Sequence, residues 1–239
     1  MKKSDNISEW DLAAKNYAEF SSSSPYSIFC KEFVANYFGR FDNQCVLDLG
    51  CGPGEYTELF RSRGGNVIGC DGSSVMLKLA NREYPRCTFK NVNLLEKLPF
   101  ANEQFDLVFC SLALMDINPI DSLIAEVSRI MKPSARFFFN IVHPAFCPAK
   151  WMKDDTGTII SKNISVYLTS YTVKQDFCGG TTHYHRPLSY HLNLMAKNNL
   201  SLMKMYEPTV YEDSKIPDIP LYLFAEYQKI PFSKVCNQL

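Results

Sequence analysis

Two periodicities alternate along this chain. Trp10, Ala13, Ala14, Tyr17 and Ala18 recur at helical spacing and predict a helix over residues 8–20, with Ser8 at its start and Asp11 in its first turn. Ser21 to Pro25 interrupts it, and Ile28, Phe29, Phe33 and Tyr37 mark a second helix over about residues 27–38, closed by Gly39. Nearly unbroken apolar runs at residues 46–49, 66–70, 105–111 and 136–142 read as strands buried on both faces. Before the last of these, Ile120, Leu123, Ile124, Val127, Ile130 and Met131 form a core-facing stripe. Asn118 is expected to cap that helix, Pro119 to open it and Lys132-Pro133 to end it. Towards the C-terminus the pattern predicts a helix over 190–198 and strands over 200–206 and 221–227. Residues 144–187 are irregular and aromatic, with short strands expected at 158–161 and 166–173.

Strand and helix alternating over about 100 residues imply right-handed parallel crossovers, with helices on both faces of one sheet. The chemistry is concentrated at residues 46–54, VLDLGCGPG, where an apolar strand meets glycines at positions 50, 52 and 54. Such a turn carries no side chains on its inner face and lies flat against a ligand. A dinucleotide fingerprint, G-x-G-x-x-G, needs a third glycine where this chain has Glu55. Asp48 at the strand mouth would repel a diphosphate, whereas it would attract a ligand carrying a sulfonium and an ammonium group. S-adenosylmethionine is such a ligand.

With Asp48, Gly50, Gly52 and Gly54 in an acid-x-G-x-G-x-G pattern, the chain resembles the class I S-adenosylmethionine-dependent methyltransferases, small-molecule enzymes of the methyltransferase type 11 kind. Asp71 closes the second strand at the spacing where an α/β nucleotide fold grips ribose hydroxyls with an acid. In Gly72-Ser73-Ser74-Val75-Met76, Ser73 or Ser74 is placed to cap the next helix and Met76 to face an adenine ring. Asn93-Leu94-Leu95 stands where the family carries an acid for the adenine amino group and an apolar residue whose N–H meets the ring. Asn93 replaces the usual Asp there, without charge assistance. Leu98-Pro99-Phe100 and residues 105–111, FDLVFCS, resemble the family's next loop and fourth strand.

The resemblance implies that Ser111 and Leu112 line the methionine arm, together with Cys51, and that Tyr17, in Ala14-Lys15-Asn16-Tyr17, touches the cofactor from an N-terminal helix. It also implies a Rossmann-like, doubly wound, mostly parallel seven-stranded sheet of order 3-2-1-4-5-7-6 with the last strand antiparallel. On that basis residues 1–40 would form a helical cap, 41–143 the cofactor-binding core, 144–187 a substrate lid and 188–239 the completion of the sheet. His143, directly after the fifth strand, is the candidate base; a bond from its ring to a loop carbonyl is the alternative. His183 or Tyr184 would reach the acceptor. His183 and His185 share a strand face without a well-spaced third ligand, so no metal is expected.

Twenty-five basic and twenty-five acidic residues cancel, and no basic run beyond Lys2-Lys3 suggests a phosphate-binding footprint, so nucleic acid is not expected as a partner. Nine cysteines contain no C-x-x-C pair and argue against a disulfide framework. No apolar stretch is long enough to span a bilayer and no signal core follows Met1, so a cytoplasmic location without membrane attachment is expected. These features fit an enzyme methylating an O or N atom, or a C atom, of a small, partly apolar molecule. A catalytically silent S-adenosylmethionine-binding protein is the nearer alternative, and a nicotinamide-dependent oxidoreductase, which Glu55 and Asp48 oppose, the more distant one. Where relatives carry histidines, Met115-Asp116 stands here, pointing to altered acceptor chemistry.

Overall fold

The computed structural model describes residues 6–147, 149–210 and 218–231; Lys2, Lys3 and Cys236 lie outside them. Its helices are α1 (Ile7–Ser23), α2 (Pro25–Tyr37), α3 (Glu55–Ser62), α4 (Ser74–Glu83), α5 (Asp121–Ile130) and α6 (Leu188–Lys197). The strands are β1 (Cys45–Leu49), β2 (Asn66–Asp71), β3 (Thr88–Asn91), β4 (Phe105–Ser111), β5 (Met131–Val142), β6 (Lys150–Lys153), β7 (Ile159–Asn163), β8 (Tyr171–Gln175), β9 (Thr181–His185), β10 (Leu200–Tyr206) and β11 (Tyr222–Lys229). Seven of them form one sheet in the order β10-β11-β5-β4-β1-β2-β3, with β11 antiparallel to its neighbours. Leaving out β6 to β9, which form two separate hairpins, this is the expected order 3-2-1-4-5-7-6.

Strand alternation splits the interior into two cores. Val46, Leu107, Phe109 and Phe138 face a layer made with α2 and α3, through Cys30, Val34 and Phe60. Leu47, Leu49, Val108, Cys110, Phe137 and Phe139 face the opposite layer, with Leu123, Ile124 and Val127 of α5 and Leu194 and Met195 of α6. A strand apolar at every position is therefore buried on both sides, as its composition implies. The α2 side is aromatic: Phe138 stacks on Phe109 at 5.8 Å and meets Phe38 edge-on at 5.0 Å.

Several boundaries move. Asn118 does not cap α5, which starts at Asp121; its side-chain oxygen instead accepts a bond from Arg186 at 3.2 Å. Helix α5 ends at Ile130 and β5 begins at once, five residues before the expected start. Those residues enter the ladder through a bulge between the Phe105–Met131 and Leu107–Arg136 pairs, with Ser134 at φ +63°. Residues 144–187 hold four strands rather than the expected two, among the described residues. Polar runs hid β6 and β9, whose partners are reached only across a hairpin.

Phe138→Ala would open a cavity between Phe109, on which it stacks, and Phe38, which it meets edge-on, and is expected to cost about 3–5 kcal/mol. Equilibrium urea unfolding at constant m-value checks this.

Candidate functional site

The chain leaves β1 in a backbone that few side chains tolerate: Gly50, Gly52 and Gly54 all have positive φ, at +74°, +50° and +90°. Gly50 N–H and Cys51 N–H both donate to the Cys70 carbonyl, at 2.8 and 2.9 Å, which locks the turn to the end of β2. A Cβ on Gly50 would stand 2.6 Å from the Ala113 Cβ, and one on Gly54 2.7 Å from the Phe89 ring. The turn is thus glycine because β4's exit presses on one end and β3 on the other.

Above it lies a cavity of about 970 Å³, counted to its open mouth. Gly50, Cys51 and Gly52 form its floor; Asp71, Gly72, Ser73 and Met76 line one wall; Asn93 and Leu94 lie farther along, and Ser111 and Leu112 stand at the exit of β4. Helix α1 is the roof and brings Tyr17 down, with Trp10 edge-on to it at 5.3 Å. Twelve of the fourteen expected cofactor-binding residues therefore converge on one space.

The other two lie behind the turn. Gly54 serves the packing against Phe89, and Asp48 is buried with its carboxylate accepting a 2.6 Å bond from Thr57 Oγ1 of α3. Asp48 belongs to the alternation that faces α3 and does not line the cavity, which corrects its expected contact with ligand. Burial, with Asp71 nearby, pushes its carboxyl up to about 7.

Asp71 is placed to do more than hold a ligand. Its oxygens accept from Gly52 N–H at 2.9 Å and Ser73 N–H at 2.8 Å, so it shapes the floor and the start of α4. A carboxylate has about four lone-pair sites, leaving two for hydroxyls. Burial raises its pKa. Ser73 caps α4 by accepting the Met76 N–H at 3.1 Å and donates to Asp11 of α1 at 2.6 Å, one of the staples holding the roof. Ser21 Oγ and Lys31 Nζ both bond Glu55, and Glu9 takes Thr182 at 2.9 Å and Lys174 at 2.5 Å. Asn93 bends its own loop, its Oδ1 accepting the Leu95 N–H at 3.0 Å.

His143 does not reach the cavity. Its Nδ1 accepts the Ala145 N–H at 3.2 Å and its Nε2 bonds Glu207 at 2.7 Å, so one ring nitrogen is spent on the loop after β5 and the other on the segment after β10. His143, one residue beyond β5, is held beside Leu221, just before β11, through its N–H and by Glu207 through its ring. His183 and Tyr184 line a second, smaller space of about 380 Å³ beside the first. His183 Nε2 lies 3.3 Å from Oδ1 of Asp116, which lines the main cavity. His185 is held elsewhere, bonding the Tyr167 carbonyl at 2.7 Å and stacking on Tyr171.

Residues that sequence patterning did not single out as site residues include Asn6, Ile7, Trp10, Glu55, Tyr56, Ala113 and Asp116. Glu55 and Asp116 carry the useful signal, since each is an acid placed just after a strand exit. Among the side chains lining the cavity are three carboxylates, of Glu55, Asp71 and Asp116, and no lysine or arginine. The space suits a cation and disfavours a diphosphate.

Comparison with known proteins agrees with this geometry. A family described as "Methyltransferase domain" matches residues 47–139. An uncharacterized methyltransferase of Synechocystis sp. is 37% identical over 111 residues, covering 46% of this chain and 50% of that protein. A malonyl-[acyl-carrier protein] O-methyltransferase of Erwinia billingiae is 32% identical over 111 residues, covering 46% and 44%. The chain spans about half the length of these curated relatives. A crystal structure from Listeria monocytogenes, described as a "putative S-adenosylmethionine dependent methyltransferase", superposes with a TM-score of 0.73 at 25% identity, covering 84% of this chain and 97% of that one. No helix among the described residues is long and apolar enough to cross a membrane.

Asp48 releases its proton near 3.8 when unfolded and near 7 when folded, so ionising it opposes the native state. Wild type should therefore lose stability relative to Asp48→Asn as pH rises from about 4 to about 7, approaching 1.4 kcal/mol per unit, with the gap constant above. Chemical denaturation of both proteins across that range reads it.

Proposed function

Because the chain carries a class I S-adenosylmethionine-dependent methyltransferase domain, we propose that it transfers the cofactor's methyl group to an O, N or C atom of a small, partly apolar acceptor. The observation that carries this reading is the cavity itself: a bare glycine floor, a ribose-spaced acid and an all-acidic charged lining. Glu55, in the first turn of α3, occupies the side where a pyrophosphate would need the helix N-terminus free. The same lining supports a sulfonium ligand over a nicotinamide dinucleotide.

The residues fit the cofactor by position. Asp71 has lone pairs to spare for two ribose hydroxyls. Met76 and Leu94 offer apolar surface to a base, and Asn93 keeps acceptor capacity for an amino group. Gly50 to Gly52, Ser111 and Leu112 surround the space left for an amino-acid arm. S-adenosylmethionine supplies an electrophilic methyl group when bound; the chain's task is to align the acceptor behind it and keep water out. Tyr17, Trp10 and Phe177 close the roof with aromatic edges. The acceptor's partly apolar character is inferred from the second space, where Met115, Ile141, Val142, Pro144 and Val173 share the wall with His183, His185, Arg186 and His191.

Titration calorimetry should show S-adenosylmethionine binding and NAD not binding. Asp71→Asn keeps an acceptor for the Gly52 N–H but loses the charge, and should weaken S-adenosylmethionine about 10- to 100-fold. An unchanged dissociation constant would refute the ribose assignment.

Gly50→Ala forces a Cβ into Ala113 at positive φ. It should abolish measurable binding while leaving a folded protein, destabilised by about 1–3 kcal/mol, which circular dichroism and thermal melting separate.

A further inference from the structure

We propose that Asp116, backed by His183, receives the proton that the methyl acceptor's nucleophile gives up, and that the positive charge of the cofactor readies it to do so. The inference rests on the methyl-transfer reading above and assigns a chemical role that the nucleoside-binding residues do not fill.

The two side chains come from distant segments. Asp116 ends the 3-10 turn Leu114–Asp116 that follows β4, and His183 is central in β9. Asp116 lines the main cavity and His183 the neighbouring one, so the pair forms part of the wall between them, Nε2 to Oδ1 3.3 Å apart. Both sides of this contact are clamped. Asn6 Nδ2 donates to the Asp116 carbonyl at 2.9 Å and to the Thr182 carbonyl at 2.8 Å, tying the turn to β9. Arg186, one residue beyond β9, donates to the Ile117 carbonyl at 2.5 Å and to Asn118 Oδ1. Asn6, the Thr182 carbonyl and Arg186 thus hold one carboxylate against one imidazole.

The other carboxylates of the cavity already have hydrogen-bond partners. Glu55 is held by Ser21 and Lys31, and Asp71 by two backbone N–H groups. Asp116 Oδ1, by contrast, is buried without a hydrogen bond, the His183 approach being close but poorly aligned. An acid left this way favours its protonated form: burial first, then the negative charges of Asp71 and Glu9, hold its carboxyl well above the usual range against the pull of Arg186. Burial pushes the His183 imidazole down to about 4, so it is neutral at pH 7, and its Nε2 lies between Asp116 Oδ1 at 3.3 Å and Thr181 Oγ1 at 3.2 Å, where that proton can be shared. The facing groups are Glu9 and Tyr17 from α1, Asp71 from β2, Cys110 from β4 and Arg186 beyond β9.

A sulfonium entering this cavity favours the carboxylate, and Asp116 surrenders its proton to solvent by way of His183. In the transfer step the acceptor's O–H, N–H or acidic C–H bond breaks as its electron pair forms the bond to the methyl carbon. The electron pair of the breaking S–CH3 bond stays on sulfur, leaving a neutral thioether, and the proton moves to Asp116. Charge balances: sulfonium and carboxylate become thioether and carboxylic acid.

The test counts protons during cofactor binding, using S-adenosylmethionine and its demethylated, neutral product S-adenosylhomocysteine as probes. Calorimetry at pH 7.5 in two buffers of different ionisation enthalpy should show about one more proton released with S-adenosylmethionine. Asp116→Asn should erase that difference and Asp48→Asn should keep it, although Asp48 also carries a raised pKa. Equal release by the two nucleosides in wild type, or a difference that survives Asp116→Asn, overturns the inference and leaves the methyl-transfer reading standing. Failure of wild type to bind either nucleoside overturns both. If Asp116→Asn does not fold, the 13Cγ shift of Asp116 in labelled wild type gives the same answer: it should move from acid to carboxylate with S-adenosylmethionine and stay with S-adenosylhomocysteine.

Discussion

The contact on which this site depends is between backbone and backbone. Gly50 and Cys51 both donate to one carbonyl, that of Cys70, and this shared acceptor draws the end of β1 against the end of β2. Ala113, arriving from β4, fits against Gly50 only because no side chain is there. Three strand ends therefore meet at one point, and each carries a different part of the cavity: floor from β1, ribose-spaced acid from β2, acid-bearing turn from β4. A side chain at Gly50 would separate all three at once. That explains why the carboxyl edge of a parallel sheet, at the crossing between β1 and β4, is where such a cavity forms.

Much of this was legible because it is local. The two-sided strands announced themselves as apolar runs, and Gly50, Gly52, Gly54, Asp71 and Ser73 lie within 25 residues of one another, where spacing in sequence translates directly into spacing in space. Strand β3 had no such mark, being short and largely exposed at the sheet edge. The fate of Asp48 was misread because the one-residue alternation of a strand decides its face: with Val46 it points to α3, and the acid becomes a buried partner of Thr57. His143 was misread for a related reason. Its position after β5 is right for a site, yet its ring is captured by Glu207 and Ala145, contacts that depend on where β11 and its preceding loop return.

What could not be read from spacing is the roof and the lid. Helix α1 shows an ordinary apolar stripe, and nothing in it says that Glu9, Asp11 and Asn6 will bond to β9 and α4. Those bonds span up to 176 residues, as in Asn6 to Thr182. They also explain the polar pattern of β9. Thr181, Thr182, His183 and His185 lie in a strand that packs against helices and turns rather than a hydrophobic layer, and each side chain or carbonyl finds a polar partner there.

The electrostatics follow from the same assembly. Three acids reach the cavity from three separate segments, and of these only Glu55 has a lysine among the described residues, Lys31, paired with it at 3.0 Å. Desolvating carboxylates without counter-charge is costly, and the raised pKa values of Asp71 and Asp116 show how the protein meets that cost, by favouring their protonated forms. A dinucleotide would add negative charge to this environment and deepen the penalty. A ligand bearing a sulfonium and an ammonium group reverses it, so that filling the cavity relieves the strain its acids create. On the proposed reading, selectivity for a cationic nucleoside follows from the way three segments deliver acids to one space in which no basic side chain is among the lining residues.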